Sequence, residues 1–167
     1  LISLDRYTRI MGRDVNGVNY PFVTINANTA YKSGGTFFFP NVMIKQGEVV
    51  TLQFQADTTN PKRRYEIPSA NVDTTSIVVS VQESSANSYN EQYTLNQDLT
   101  EITANSTVYF MEENENLNYT IFFGDGVLGK RPKDGNIVTV TYLDTAGSVA
   151  NNISKFTFTT KVSGLFR

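Results

Sequence analysis

The chain has 167 residues, with 14 Lys and Arg against 16 Asp and Glu for a net charge of −2, so it exerts no global pull on nucleic acid or an anionic membrane. Cys and His are both absent, which removes disulfides, thiol nucleophiles, the usual zinc ligands and the side chain most used for proton transfer near neutral pH. The longest apolar runs, such as Thr36-Phe-Phe-Phe39 and Ile121-Phe-Phe123, are far shorter than the ~20 residues that span a bilayer.

Thr, Val, Ile, Tyr and Phe are abundant, while Ala, Leu and long helical charge patterns are sparse, a composition that favours strands. No signal-peptide pattern is visible. Leu1 is not a start methionine, and the chain reads as a fragment or internal domain of something longer. Ile2–Leu4 then reads as the end of an element that begins upstream. Asn16-Gly17 is a favoured type I′ hairpin turn, linking an expected strand near Tyr7–Met11 to another at Phe22–Ile25. Lys32-Ser-Gly-Gly35 reads as a turn, and Thr36–Phe39 as a strand stopped by Pro40. In Val49–Gln55, Val50, Leu52 and Phe54 share one face and Thr51, Gln53 and Gln55 the other, the period of a half-buried strand.

Asp57–Arg64 reads as a loop, Arg64–Ile67 as a short strand closed by Pro68, and Ser76–Val81 as a central strand apolar on both faces. Further strands are expected at Tyr89–Leu95 and Val108–Met111, with a helical turn allowed between Asn96 and Asn105. Glu112–Asn118 is an acidic, amide-rich bend. Tyr119–Phe123 and Ile137–Tyr142 are strands joined by a glycine-rich loop, Asp144–Gly147 is a turn, and Asn152–Thr160 closes the series with Phe156 and Phe158 on one face. About ten short strands at roughly ten-residue spacing predict a mainly β fold, an antiparallel sandwich or meander with room for one short helix.

The glycine loop holds two nucleotide-binding patterns at once. Gly124-x-Gly126-x-x-Gly129 has the spacing of a dinucleotide fingerprint, and Gly124-x-x-x-x-Gly129-Lys130 is most of a phosphate loop. Both chemistries need the loop to open a helix whose free N–H groups hold phosphate. Here an alternating β run, Ile137–Tyr142, follows, Arg131 stands where a magnesium-binding Ser or Thr belongs, and no acid stands at the ribose spacing. A wide turn between strands is the better reading.

The same residues carry a resemblance. Phe123-Gly-Asp-Gly126, then Gly129, Pro132 and Gly135, then Val138-x-Val140-x-Tyr142 and Gly147, resembles the signature of the baseplate J-like family, wedge proteins of contractile-tailed bacteriophages and related injection machines. Agreement extends to Tyr65-x-Ile67-Pro68, Val72, Ser76–Val81, Tyr93, Asp98, Val108-Tyr-Phe110 and Asn151-Asn152, roughly residues 50 to 155. Within the family the likeness is greatest to the large wedge subunits of myophage baseplates. The resemblance implies a non-enzymatic virion protein without cofactor, assembled with copies of itself and other wedge proteins around the tail hub, and made in the host cytoplasm. It also implies a division into residues 1–45, part of an adjoining subdomain, and 46–167, the family's β domain. Gly124, Asp125, Gly126, Gly129, Pro132, Gly135 and Tyr142 are then structural residues of the loop.

Other candidate sites have simpler readings. Glu112, Glu113 and Glu115 with Asn114, Asn116 and Asn118 offer hard oxygen ligands but lack calcium-loop spacing. Asp125 and Asp134 could form a glycosidase pair, yet Asp125 is better suited to accept bonds from loop amides. Lys62-Arg63-Arg64 and Lys130-Arg131-x-Lys133 are small basic clusters of exposed loops. Neither a small-molecule substrate, nucleic acid nor membrane insertion is expected. The rival reading is a secreted or surface β-sandwich that binds carbohydrate or protein, suited to the Thr- and Asn-rich composition.

Overall fold

The computed structural model describes residues 2–60, 63–96 and 101–159. These form fifteen strands and one short 3-10 turn, Gly147–Ala150, the mainly β architecture that the composition predicts. The chain divides into two compact units: Leu1–Val49 with Leu143–Arg167, and Val50–Tyr142.

Unit one begins with β1 (Ser3–Leu4), β2 (Arg9–Arg13), β3 (Asn19–Thr24), β4 (Asn28–Thr29), β5 (Tyr31–Ser33), β6 (Thr36–Phe38) and β7 (Ile44–Gln46). Its main sheet runs β15-β2-β3-β7, where β15 is Lys155–Phe158 near the other end of the sequence. Strands β2 and β3 form the expected hairpin, with Arg13 opposite Asn19. Its turn is not type I′, which needs positive φ at both central residues. Only Gly17 has it, at 85°, because Asp14 Oδ1 accepts the amides of Asn16 at 2.9 Å and Val18 at 2.8 Å and imposes its own turn. Leu4, Ile10, Phe22, Val23 and Leu143 are buried here. So is Thr24, whose hydroxyl donates to Asp5 O at 2.6 Å and accepts from Thr8 N at 2.9 Å, meeting the requirement that buried polar groups be bonded.

Unit two carries the seven-stranded sheet β8-β14-β10-β11-β12-β13-β9. Its strands are β8 (Glu48–Gln55), β9 (Tyr65–Ile67), β10 (Val72–Gln82), β11 (Asn90–Leu95), β12 (Val108–Glu113), β13 (Tyr119–Phe123) and β14 (Ile137–Asp144), the first and last of which carry the chain across the unit boundaries. Central β10 fits its two-sided apolar sequence. β11 and β12 run parallel, Thr94 opposite Val108, in contrast to the antiparallel pairings of β10 with β11, β12 with β13 and β13 with β9. The edge strands approach through Phe54 of β8 and Tyr65 of β9, ring centroids 5.2 Å apart, so the sheet curls almost closed. Inside lie Ile67, Val79, Ile121, Val138 and Val140, each fully buried, with Tyr65, Tyr93, Tyr109 and Tyr142. Burial of such side chains stabilises by about 1.5–3 kcal/mol each.

The division differs from a single boundary at residue 45. The chain leaves unit one after Val49 and re-enters it at Leu143, and β15 pairs with β2, Phe156 opposite Gly12. Alternation marks a strand but not its partner, so the return was invisible in the pattern. The helical turn allowed in 96–105 falls partly on 97–100, outside the described residues, and 101–105 form turns.

Candidate glycine-loop site

Strands β13 and β14 are not neighbours. β13 lies between β12 and β9, and β14 between β8 and β10. The loop 124–136 is therefore a strap across the end of the sheet in unit two, not a hairpin turn. Its first anchor is the segment before β12: Gly129 N donates to Thr103 O at 3.0 Å and Lys130 N to Ser106 O at 2.8 Å. Its second is β11, where Lys130 Nζ lies 2.7 Å from both Glu91 carboxylate oxygens. The third is the end of β8: Gly135 N donates to Ala56 O, Ala56 N to Asn136 O, and an Arg131 guanidinium nitrogen to Thr58 O at 2.9 Å. Buried Asn136 closes the strap, accepting from Lys133 N at 2.8 Å and donating to Glu83 O at 3.0 Å beyond β10.

Each signature residue has a physical task. A Cβ on Gly124 would strike Leu128 O and come within 2.5 Å of the Gly129 carbonyl, so only glycine permits that backbone crossing. Gly126 adopts φ 91° with open space around it. Asp125 Oδ1 accepts the amides of Val127 at 2.8 Å and Leu128 at 2.9 Å. Bonds from Leu128 and then Val127 hold its carboxyl below the ordinary carboxylate range, since they favour the charged acceptor. Gly129 and Pro132 are buried, Gly135 turns at φ 78°, and Tyr142 is buried at the end of the unit.

The remaining candidates are engaged in turns. The loop opens strand β14, not the helix that a phosphate loop requires. Asp134 Oδ1 accepts from Thr58 N at 3.2 Å. Asn114 Oδ1 accepts from Asn116 N and Asn118 N, Asn118 donates to Glu66, and Glu112 pairs with Arg64. Among the described residues no cluster of three or more carboxylates could hold a metal. Lys62 lies outside the described residues; Arg63 stands over the Tyr65 ring at 5.7 Å.

A cleft of about 230 Å³ borders the strap, walled by Asn87, Tyr89, Glu91, Tyr93, Lys130 and Lys133. Burial pushes the Tyr93 phenol well above its ordinary range, and the Glu91 charge adds to it. Sequence reasoning singled out the glycine loop, as a wide turn between strands, but missed its anchors Ala56, Glu83, Glu91, Thr103, Ser106 and Asn136. Only Asn136, an amide between Gly135 and an apolar strand, carried a local signal. No protein-family model matches the sequence, and no curated protein matches it.

Proposed function

We propose that the chain is a structural, non-enzymatic domain of a contractile-tail baseplate wedge protein, working through contacts with neighbouring wedge proteins and copies of itself. The carrying observation is the residue signature of Phe123-Gly-Asp-Gly126 through Tyr142. Its glycines, Asp125 and Pro132 build the locked strap, and Tyr65, Ile67, Val79, Val81, Tyr93, Tyr109, Val138, Val140 and Tyr142 form the core it covers. A wedge must stay rigid while passing on the switch to sheath contraction, and a strap bonded to four chain segments suits that demand. Its exposed tip, Val127 and Leu128, offers apolar surface to a neighbour.

Co-expression of the chain with sheath, tube and candidate wedge proteins, read by size-exclusion light scattering, tests this reading. A stoichiometric complex is expected; indifference to all of them would sink it. The cleft beside exposed Tyr89 supports the rival carbohydrate-binding reading, and glycan-array binding that Tyr89→Ala abolishes would favour that rival.

A further inference from the structure

The two units carry opposite charge. Across residues 1–49 and 143–167 stand eight Lys and Arg against four Asp and Glu, a net of +4; across 50–142 stand six against twelve, a net of −6, and together they give the chain's −2. From Val15 to Gly47 there is no acid at all, and Lys32 and Lys45 are the charged residues.

Inside that acid-free stretch lies the β5–β6 hairpin. Tyr31 stands opposite Phe38 and Lys32 opposite Phe37, around a Gly34-Gly35 turn with φ 57° and 83°. All six strand residues are exposed. Tyr31 and Phe38 stack on one face, centroids 5.6 Å apart, while Lys32 Nζ lies 5.8 Å from the Phe37 ring on the other. Their exposures are 55% for Tyr31, 41% for Phe37 and 45% for Phe38. Among the described residues the pair joins no third strand. An isolated ribbon of two strands is marginal in water, and this one shows rings on both faces and open rows of N–H and C=O on both edges.

We infer that this hairpin is a docking arm by which basic unit one of one copy binds acidic unit two of another. Charges of +4 and −6 in one chain make every copy complementary to the next, which speeds encounter and sets orientation. The aromatic rings supply the buried anchors that carry most interface energy. A lipid bilayer fits less well, because hydrocarbon leaves the open strand edges unsatisfied, whereas a protein surface pairs with them. The proposal deepens the wedge reading by naming the contact between copies, and its test is separate.

Sedimentation velocity of the whole chain comes first, at about 10 mM and about 1 M ionic strength, where the Debye length falls from about 30 Å to about 3 Å. Concentration-dependent association is expected at low salt, weakened about tenfold or more at high salt. Lys32→Glu, and separately Phe37→Ser with Phe38→Ser, should each weaken it about tenfold or more with far-UV circular dichroism unchanged, since every altered side chain is exposed. In an equimolar mixture of isotopically light and heavy chains, carbodiimide should join Lys32 to unit-two carboxylates in light–heavy pairs. A monomer at both salts, association indifferent to the hairpin variants, or light–heavy links confined to unit one would each overturn the proposal. So would hairpin-dependent binding to phosphatidylserine vesicles in place of self-association. A monomer that still assembles with tail proteins would leave the wedge reading standing, and a self-associating chain that ignores them would do the reverse.

Discussion

Leu117 and Gly17 occupy the same place in two turns built alike. In each, the side chain of Asp14 or Asn114 accepts the amides two and four residues on, and the fourth residue takes positive φ, 85° at Gly17 and 63° at Leu117. Leucine in that region costs roughly 1–2 kcal/mol, and its side chain is 64% exposed, so little packing offsets the strain. Leu117→Gly should therefore raise the urea midpoint, a net gain of about 0.5–1 kcal/mol after glycine's larger unfolded-state entropy. A lowered midpoint would refute it. In the strap, Gly124→Ala meets rigid backbone and should cost about 1–3 kcal/mol or more. Gly126→Ala meets only its own φ and should cost about 1 kcal/mol. Equal losses in chemical denaturation would show that contact at Gly124 is not what matters. Asp125 adds a pH term. Its folded pKa is depressed, so its stabilisation is full above the unfolded value and disappears as pH falls below about 4. The stability gap between the protein and Asp125→Asn should shrink over that window, and a constant gap would exclude the carboxylate as its source. The bonding of Asp125 to loop amides was legible in sequence, because Asp before Gly in a turn has few other uses. The φ of Leu117 was not, since leucine carries no turn signal.

At the scale of elements, the strap is held more firmly by a buried amide than by its ion pair. Asn136→Ala orphans Lys133 N and Glu83 O and should cost about 1–3 kcal/mol. Lys130 and Glu91 are 42% and 29% exposed at the side chain, so Lys130→Met should cost less than about 1 kcal/mol. Thermal melts of both variants decide the ranking, and a larger loss at Lys130 would reverse it. Strands β8, β9, β13 and β14 were legible because period-two alternation, Pro68 and glycine punctuation are local. The extent of Lys32–Gly35 was misjudged: Lys32 and Ser33 belong to β5 and only Gly34-Gly35 turn. Three-residue strands with no buried face leave no alternation to read.

Across the whole molecule, titration separates what the core contains. Tyr65, Tyr93 and Tyr109 of unit two all have phenols pushed up by burial. Their raised folded values favour the folded state below the unfolded pKa and oppose it as pH climbs beyond about 10. Cooperative loss of circular dichroism above that pH, coincident with a step in tyrosinate absorbance, is expected. Smooth titration near pH 10 with structure intact would contradict the burial of those hydroxyls.

By itself the sequence determined the strand class, the amphipathic faces, the turn chemistry of Asp125 and the need for glycine in the loop. Each follows from short-range sterics and hydrogen bonding, which neighbouring residues report. Tertiary structure alone decided that β13 and β14 lie apart, that the loop is a strap, that β15 returns to β2 and that the two units hold opposite charge. Those depend on which strand edge meets which, and alternation along a strand is the same whatever partner it finds.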